Sequence, residues 1–375
     1  MTPGTHRFVV LDALRGLCAL FVCLFHFHSS SALMWSGFVR ASYQFVDFFF
    51  VLSGFVIAAN YRQRLADGLS RWRFLALRLG RIYPLHVFVL ALLVGFEVAA
   101  AVLHPAGVRP AFDATHSPAA IVLHLLMLHS VGLTSRLTWN DPSWSIATEF
   151  WAYVGFALIV PLARGRLDWL LAAIVVVCPL ILLAVTPYGI NVTYDWGLVR
   201  CVYGFALGVL CWAAWQRLEP TDGRWSTVAE IVVVTAVVAF IVAARASPWS
   251  VLGPLLFALA VLVFAGERGA VSRLLAVRPM LFLGTLSYSV YMMHSIVQAR
   301  MTDVLKLVER KTGHPLTTTF DYHGTRMILA GSTPMQGVVL TMVMLIAVVA
   351  TSYVTYRLIE RPAQQWTRAR LKRSM

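Results

Sequence analysis

Apolar residues fall along this chain in long blocks separated by short polar stretches; no strict alternation of apolar and polar positions competes with them. Runs of roughly 18–22 apolar residues recur from end to end, about the length a helix needs to cross a bilayer. We read eleven such segments, at 8–27, 43–60, 84–104, 118–133, 143–162, 167–187, 198–215, 226–246, 249–266, 280–300 and 334–357. The weakest is 118–133, SPAAIVLHLLMLHSVG, which is short and carries His124 and His129. The pattern predicts an all-α, polytopic integral membrane helix bundle. The first run is broken by Asp12 and Arg15 and has no small-residue cleavage site after it, so it does not read as a cleaved signal peptide.

Loop charge then sets the topology. The stretch 61–83 holds Arg62, Arg64, Arg71, Arg73, Arg78 and Arg81, and arginine-rich loops stay in the cytoplasm. The N-terminus is then cytoplasmic, and residues 28–42 are outside. The basic tail with Arg368 and Arg370 belongs inside as well. Eleven crossings would leave it outside, so one segment does not cross. Assigning 118–133 as a short re-entrant or interfacial segment leaves ten transmembrane helices with both termini cytoplasmic.

Composition agrees with this picture. Of 375 residues, 59% are hydrophobic and 13% charged, against about 25% charged in a soluble protein. The formal net charge of +14 fits positive-inside loops facing anionic membrane lipid better than nucleic acid. The five cysteines (Cys18, Cys23, Cys178, Cys201, Cys211) all lie in apolar runs without metal spacing. They read as core residues, and no metal is expected.

Ionisable groups inside apolar runs are functional by default, and the first run, LDALRGLCALFVCLFHF, holds three. Arg15 and His26 lie eleven helical steps apart, about three turns and roughly 16 Å, on nearly the same face. Arg15 is then placed near mid-membrane and His26 near the outer end, with Asp12 three residues before Arg15 to neutralise it. The second span enters from outside as VDFFFVLSGF and puts Asp47 at the depth of His26. A carboxylate beside an imidazole fixes its tautomer and suits a general base. Glu149, in SWSIATEFWAYV, is a second candidate for orienting His26 or for binding a substrate hydroxyl. Ser53 and Gly54 read chiefly as close helix packing, with Ser53 also able to line a path. Arg78 and Arg81, in RWRFLALRLGRIYP, stand three apart and suit phosphate groups. Tyr288, Tyr291 and His294 form a polar stripe in LGTLSYSVYMMH that could line a tunnel or bond neighbouring helices.

Taken in order, Arg15 and His26 ten residues between, VDFFFVLSGF, RLGR, WSIATE, LSYSVYMMH and ERP, this chain resembles the acyltransferase-3 family of bacterial membrane O-acyltransferases over almost its whole length. The resemblance implies a single membrane acyltransferase domain over 1–375 and ten membrane helices in the bacterial inner membrane; the appended soluble domain that some members carry is not expected here. It implies acetyl-CoA or another acyl-CoA as cytoplasmic donor, and a glycan or glycolipid acceptor such as a surface polysaccharide. Arg15 with Arg78 and Arg81 would serve the donor, His26 would be the base, and Asp47 and Glu149 match acidic positions of the family's patterns. Direct transfer and a covalent acyl-histidine both stay open. Two other readings use the same residues: a transporter or flippase of a lipid-linked or small polar substrate, and the same chemistry on a small-molecule acceptor. Repeat halves and paired broken helices, which many transporters show, are not evident. The acceptor, the acyl group and the oligomeric state are not legible in the sequence.

Overall fold

The computed structural model describes residues 7–373 except 104–109, 164, 219–222, 246 and 323–324. Among these residues, ten helices are long and apolar enough to cross a membrane. We number them α1 (Val9–His26), α2 (Gly37–Ala66), α3 (Arg71–Leu103), α4 (Ser143–Leu162), α5 (Leu167–Val185), α6 (Gly197–Trp215), α7 (Gly223–Ala244), α8 (Pro248–Ala265), α9 (Arg278–Thr312) and α10 (Pro334–Leu371). The protein is thus a polytopic helical membrane protein. Ten crossings bring both ends back to one face of the bundle, here the proximal face; the other is the distal face.

Local sequence explains several boundaries. Thr333 caps α10 by accepting the Gln336 N–H, and Pro334 fills the first helical position, where its missing donor costs nothing. Gly313 ends α9 in the left-handed region at φ 72°, which a residue without Cβ adopts freely. The 118–133 segment forms only an eight-residue helix, Pro118–Leu125, capped by Ser117. At 1.5 Å per residue it is about 12 Å long, far short of a bilayer.

Three spans run well past their apolar cores. Helix α3 starts at Arg71 rather than near 84, so Arg78 and Arg81 sit inside a helix and not in a loop. Helix α10 runs on through a π-turn at Tyr356–Glu360, and α2 has another at Ala58–Arg62. A β-hairpin, β1 (Thr317–Tyr322) and β2 (Thr325–Ala330), is antiparallel with Thr317 opposite Ala330 and sits between α9 and α10.

Backbone proximity organises the centre. Helix α1 packs on α9, and α2 packs on α6 and α8. A Cβ on Gly16 would lie 2.5 Å from the Gly284 N, and one on Gly284 would lie 2.4 Å from the Asp12 carbonyl. Helices α1 and α9 run in the same direction, so residues equally far beyond these glycines meet. Ten residues on from Gly16 is His26; ten on from Gly284 is His294. On the other pair, a Cβ on Gly54 would lie 2.1 Å from the Phe205 carbonyl and one on Gly208 1.9 Å from the Val51 carbonyl. Small residues allow such approach where lipid supplies no hydrophobic drive between helices. Helix α2 is the most enclosed span, and α5 the most lipid-facing, with Val176, Val177, Leu180 and Leu183 exposed.

These contacts give a direct test. Gly54→Ala must push α2 and α6 apart, because the clash is with backbone that no rotamer relieves, and such overpacking costs about 1–3 kcal/mol. A clear fall in the detergent melting temperature is expected. Gly155→Ala, whose Cβ would meet nothing within 4 Å, should leave it unchanged.

Candidate active site

Two cavities open along the face where α1, α2, α3, α4 and α9 converge. The first, about 90 Å³, is lined by Arg15, Ser53, Arg78, Arg81, Glu149, Tyr153, Ser287, Tyr288 and Tyr291 among others. The second, about 290 Å³, is lined by His26, Tyr43, Leu137, Asp141, Trp144, Asn191, Thr193, Arg200 and Tyr291 among others. Tyr291 belongs to both. Its hydroxyl lies 2.7 Å from the Ser145 hydroxyl, whose own proton goes to the Pro142 carbonyl (3.2 Å), so Tyr291 donates to Ser145.

The first cavity is basic: three guanidinium groups face one carboxylate. Arg15 sits six residues from the start of α1, about 9 Å in, closer to the proximal face than the sequence placed it. Its Nη2 pairs with Asp12 Oδ1 at 3.0 Å, as the three-residue spacing predicts, and its Nε donates to Ser287 Oγ at 2.8 Å. Arg78 donates to the Tyr61 hydroxyl (3.1 Å) and lies 5.0 Å over that ring, while its buried Nε has no partner. Neither Arg78 nor Arg81 forms an ion pair with a carboxylate among the described residues. A cavity lined by three guanidinium groups and one carboxylate carries an excess of positive charge, the chemistry that suits an anion.

Glu149 belongs to this cavity and not to His26. It accepts from the Tyr153 hydroxyl, which in turn accepts from Ser53 at 2.9 Å. Tyr288 donates to the Ile82 carbonyl and joins α9 to α3. The expectation that Glu149 could orient His26 is therefore corrected: its side chain is held by Tyr153 in the arginine cavity, while His26 lines the other.

Asp47 is corrected as well. It lies fully buried, ten residues into α2, and binds Arg200 through two short contacts, Nε to Oδ1 at 2.8 Å and Nη2 to Oδ2 at 2.7 Å. Arg200 also donates to the Val192 carbonyl (3.0 Å) and stacks 5.1 Å over Trp144. A buried guanidinium needs a counter-charge, and Asp47 supplies it through both oxygens, whereas the ring nitrogen of His26 meets Val22 and His294. Sequence reasoning missed Arg200, although a lone arginine in the apolar run 198–215 was a visible signal.

The partner of His26 is His294. His26 Nδ1 lies 2.9 Å from the Val22 carbonyl and 3.2 Å from His294 Nε2. His294 Nδ1 lies 3.3 Å from the Val290 carbonyl. Carbonyl oxygens only accept, so both rings carry their proton on Nδ1. His294 Nε2 then accepts from His26, and His26 Nε2 keeps a free lone pair. His294 is fully buried and lines neither cavity, so of the stripe expected along α9, Tyr288 and Tyr291 face the first cavity and His294 backs His26. Glu360, of the motif ERP, is buried and accepts from Ser289 at 2.7 Å.

The ten spans thus form a membrane bundle with a polar interior, three arginines lining one cavity and His26 lining the next. The acyltransferase-3 family model, described as an acyltransferase domain, matches residues 8–357, and the chain belongs to that family: it is a membrane acyltransferase. Over 154 residues it is 34% identical to "Protein 2 in picA locus" of Rhizobium radiobacter, a match covering 38% of this chain and 77% of that protein. No solved structure matches the chain.

Proposed function

We propose that the protein transfers an acyl group, acetyl in the simplest case, from a cytoplasmic acyl-CoA to a hydroxyl of a cell-surface glycan or glycan precursor, in the bacterial inner membrane with the proximal face in the cytoplasm. The observation that carries this reading is the sharing of Tyr291 between a basic cavity and a histidine cavity. Arg15, Arg78 and Arg81 hold the phosphates of the donor. The thin pantetheine arm reaches past Tyr291 toward His26. Tyr43, Trp144, Asp141, Asn191 and Thr193 offer an acceptor both aromatic surface and polar partners.

His26 Nε2 takes the proton of the acceptor hydroxyl as its oxygen attacks the thioester carbon. The C–O bond forms, the C–S bond breaks, and the coenzyme A thiolate leaves and recovers a proton from the imidazolium. Through the step His26 Nδ1–H stays bonded to His294 Nε2, which orients the ring and spreads the positive charge, as a carboxylate does elsewhere. With the free Nε2 facing the acceptor side, direct transfer needs no acyl-enzyme.

The donor assignment is tested by Arg78→Ala and Arg81→Ala. Losing one charge-assisted contact to phosphate costs about 1.5–3 kcal/mol, so the KM for acetyl-CoA should rise about tenfold or more with a smaller change in kcat. Coenzyme A should stabilise the wild type against heating, and the variants less. An unchanged KM in both variants would move the donor elsewhere.

A further inference from the structure

Away from the two cavities, three histidines meet. His86 of α3, His124 of the Pro118–Leu125 helix and His129 are all buried, and one nitrogen of each lies within 4.8 Å of one on each of the others. After that helix, Met127 takes φ 57° and turns the chain, so the His129 ring lies on that of His124 at 3.7 Å between centroids. His86 is nearly parallel to both, 5.6–5.7 Å away.

Hydrogen bonding settles which nitrogen carries the proton in His86 and His129. His86 Nε2 lies 3.0 Å from the His124 carbonyl and must donate to it. His129 Nε2 lies 3.1 Å from Ser143 Oγ, whose proton already goes to the Asn140 carbonyl at 2.6 Å, so His129 donates too. His124 Nε2 lies 2.9 Å from Thr138 Oγ1. The Nδ1 atoms of His86, His124 and His129 are buried and all lack a hydrogen-bond partner. Three buried ring nitrogens without partners in one three-histidine cluster are costly, and rings whose other nitrogen is tied to a carbonyl or hydroxyl are oriented as metal ligands are.

We propose that His86, His124 and His129 form a binding site for a divalent transition ion of the zinc type, which staples the 118–133 segment to α3 and to the start of α4. Three neutral imidazoles leave the fourth tetrahedral position to water or hydroxide. Tetrahedral bonds of 2.0–2.1 Å place ligand nitrogens about 3.4 Å apart, so uptake draws the rings together and tilts His124 and His129 out of their stack. The segment continues into Leu137 and Asp141 of the second cavity, and the ion would stiffen that wall. His124 and His129 are near neighbours in the chain, but His86 comes from another helix, so the trio is visible only in the fold.

Wild-type protein grown with zinc, purified and desalted is expected to carry about one zinc per chain by elemental analysis. His124→Asn and His86→Asn should carry none, and His26→Asn the full amount. Because those variants could fail to fold, the wild type alone supplies a second readout. Chelator-treated protein should melt higher on adding zinc and should show the visible d–d bands of tetrahedral cobalt on adding cobalt(II). Wild type that takes up neither ion, or a His86→Asn/His124→Asn double variant that keeps the wild-type stoichiometry, overturns the site.

Discussion

His26→Asn is expected to reduce acyl transfer by about 10²–10⁴-fold, the usual contribution of a positioned general base, while coenzyme A binding stays at the wild-type level. Asparagine is close in size to the imidazole but offers no basic nitrogen where Nε2 stands. The loss should fall in kcat, measured as thioester consumption by the purified enzyme in micelles, because His26 lines the second cavity and the donor arginines line the first. His294→Gln acts one step further out. It removes one of two acceptors of His26 Nδ1–H, the imidazole at 3.2 Å, and leaves the Val22 carbonyl at 2.9 Å; it should cost less, about 10–100-fold, the range for groups that orient a catalytic ligand. Wild-type turnover by His26→Asn would place the base on another residue.

The largest stability effect is expected at Asp47. Asp47→Leu strands Arg200, which is 1% exposed beside a carboxylate at 0%. Breaking a buried pair by removing one partner costs about 3–5 kcal/mol, whereas replacing both with well-packed apolar residues is often neutral. Asp47→Leu should therefore fold poorly and melt low, and Asp47→Leu/Arg200→Met should recover most of the melting temperature. Activity separates this structural role from a catalytic one. If Asp47 oriented His26, the double variant would be folded yet as inactive as His26→Asn; the geometry gives a folded variant with substantial turnover.

The ten spans were legible because each needs a long apolar block, and a length rule is read from one segment at a time. The same rule showed that 118–133 falls short of a bilayer. Helix extent was less legible. Helix α3 continues down through Arg71, Arg73, Arg78 and Arg81, residues that the charge rule assigns to a loop, because Arg78 and Arg81 face a cavity inside the bundle. The individual residues His26, Arg15, Arg78 and Arg81 stood out as charged or titratable groups in apolar or membrane-edge context, and the structure gathers the three arginines around one cavity. Their partners did not stand out. His26 meets His294 only because α1 and α9 run parallel across the Gly16–Gly284 contact, a pairing 268 residues apart. Asp47 seemed free for His26 because Arg200, 153 residues away, could not be placed beside it.

The decisive measurement is the side from which the donor is used. The purified enzyme would be reconstituted in vesicles of one orientation, fixed by protease access to the basic C-terminal tail, and offered radiolabelled acetyl-CoA on one side at a time. Turnover is expected when the donor is on the proximal side, where Arg15, Arg78 and Arg81 open, and background only when it is on the distal side near His26. Equal turnover from the distal side, or turnover from that side alone, would contradict a path that runs from an arginine-held donor past Tyr291 to His26.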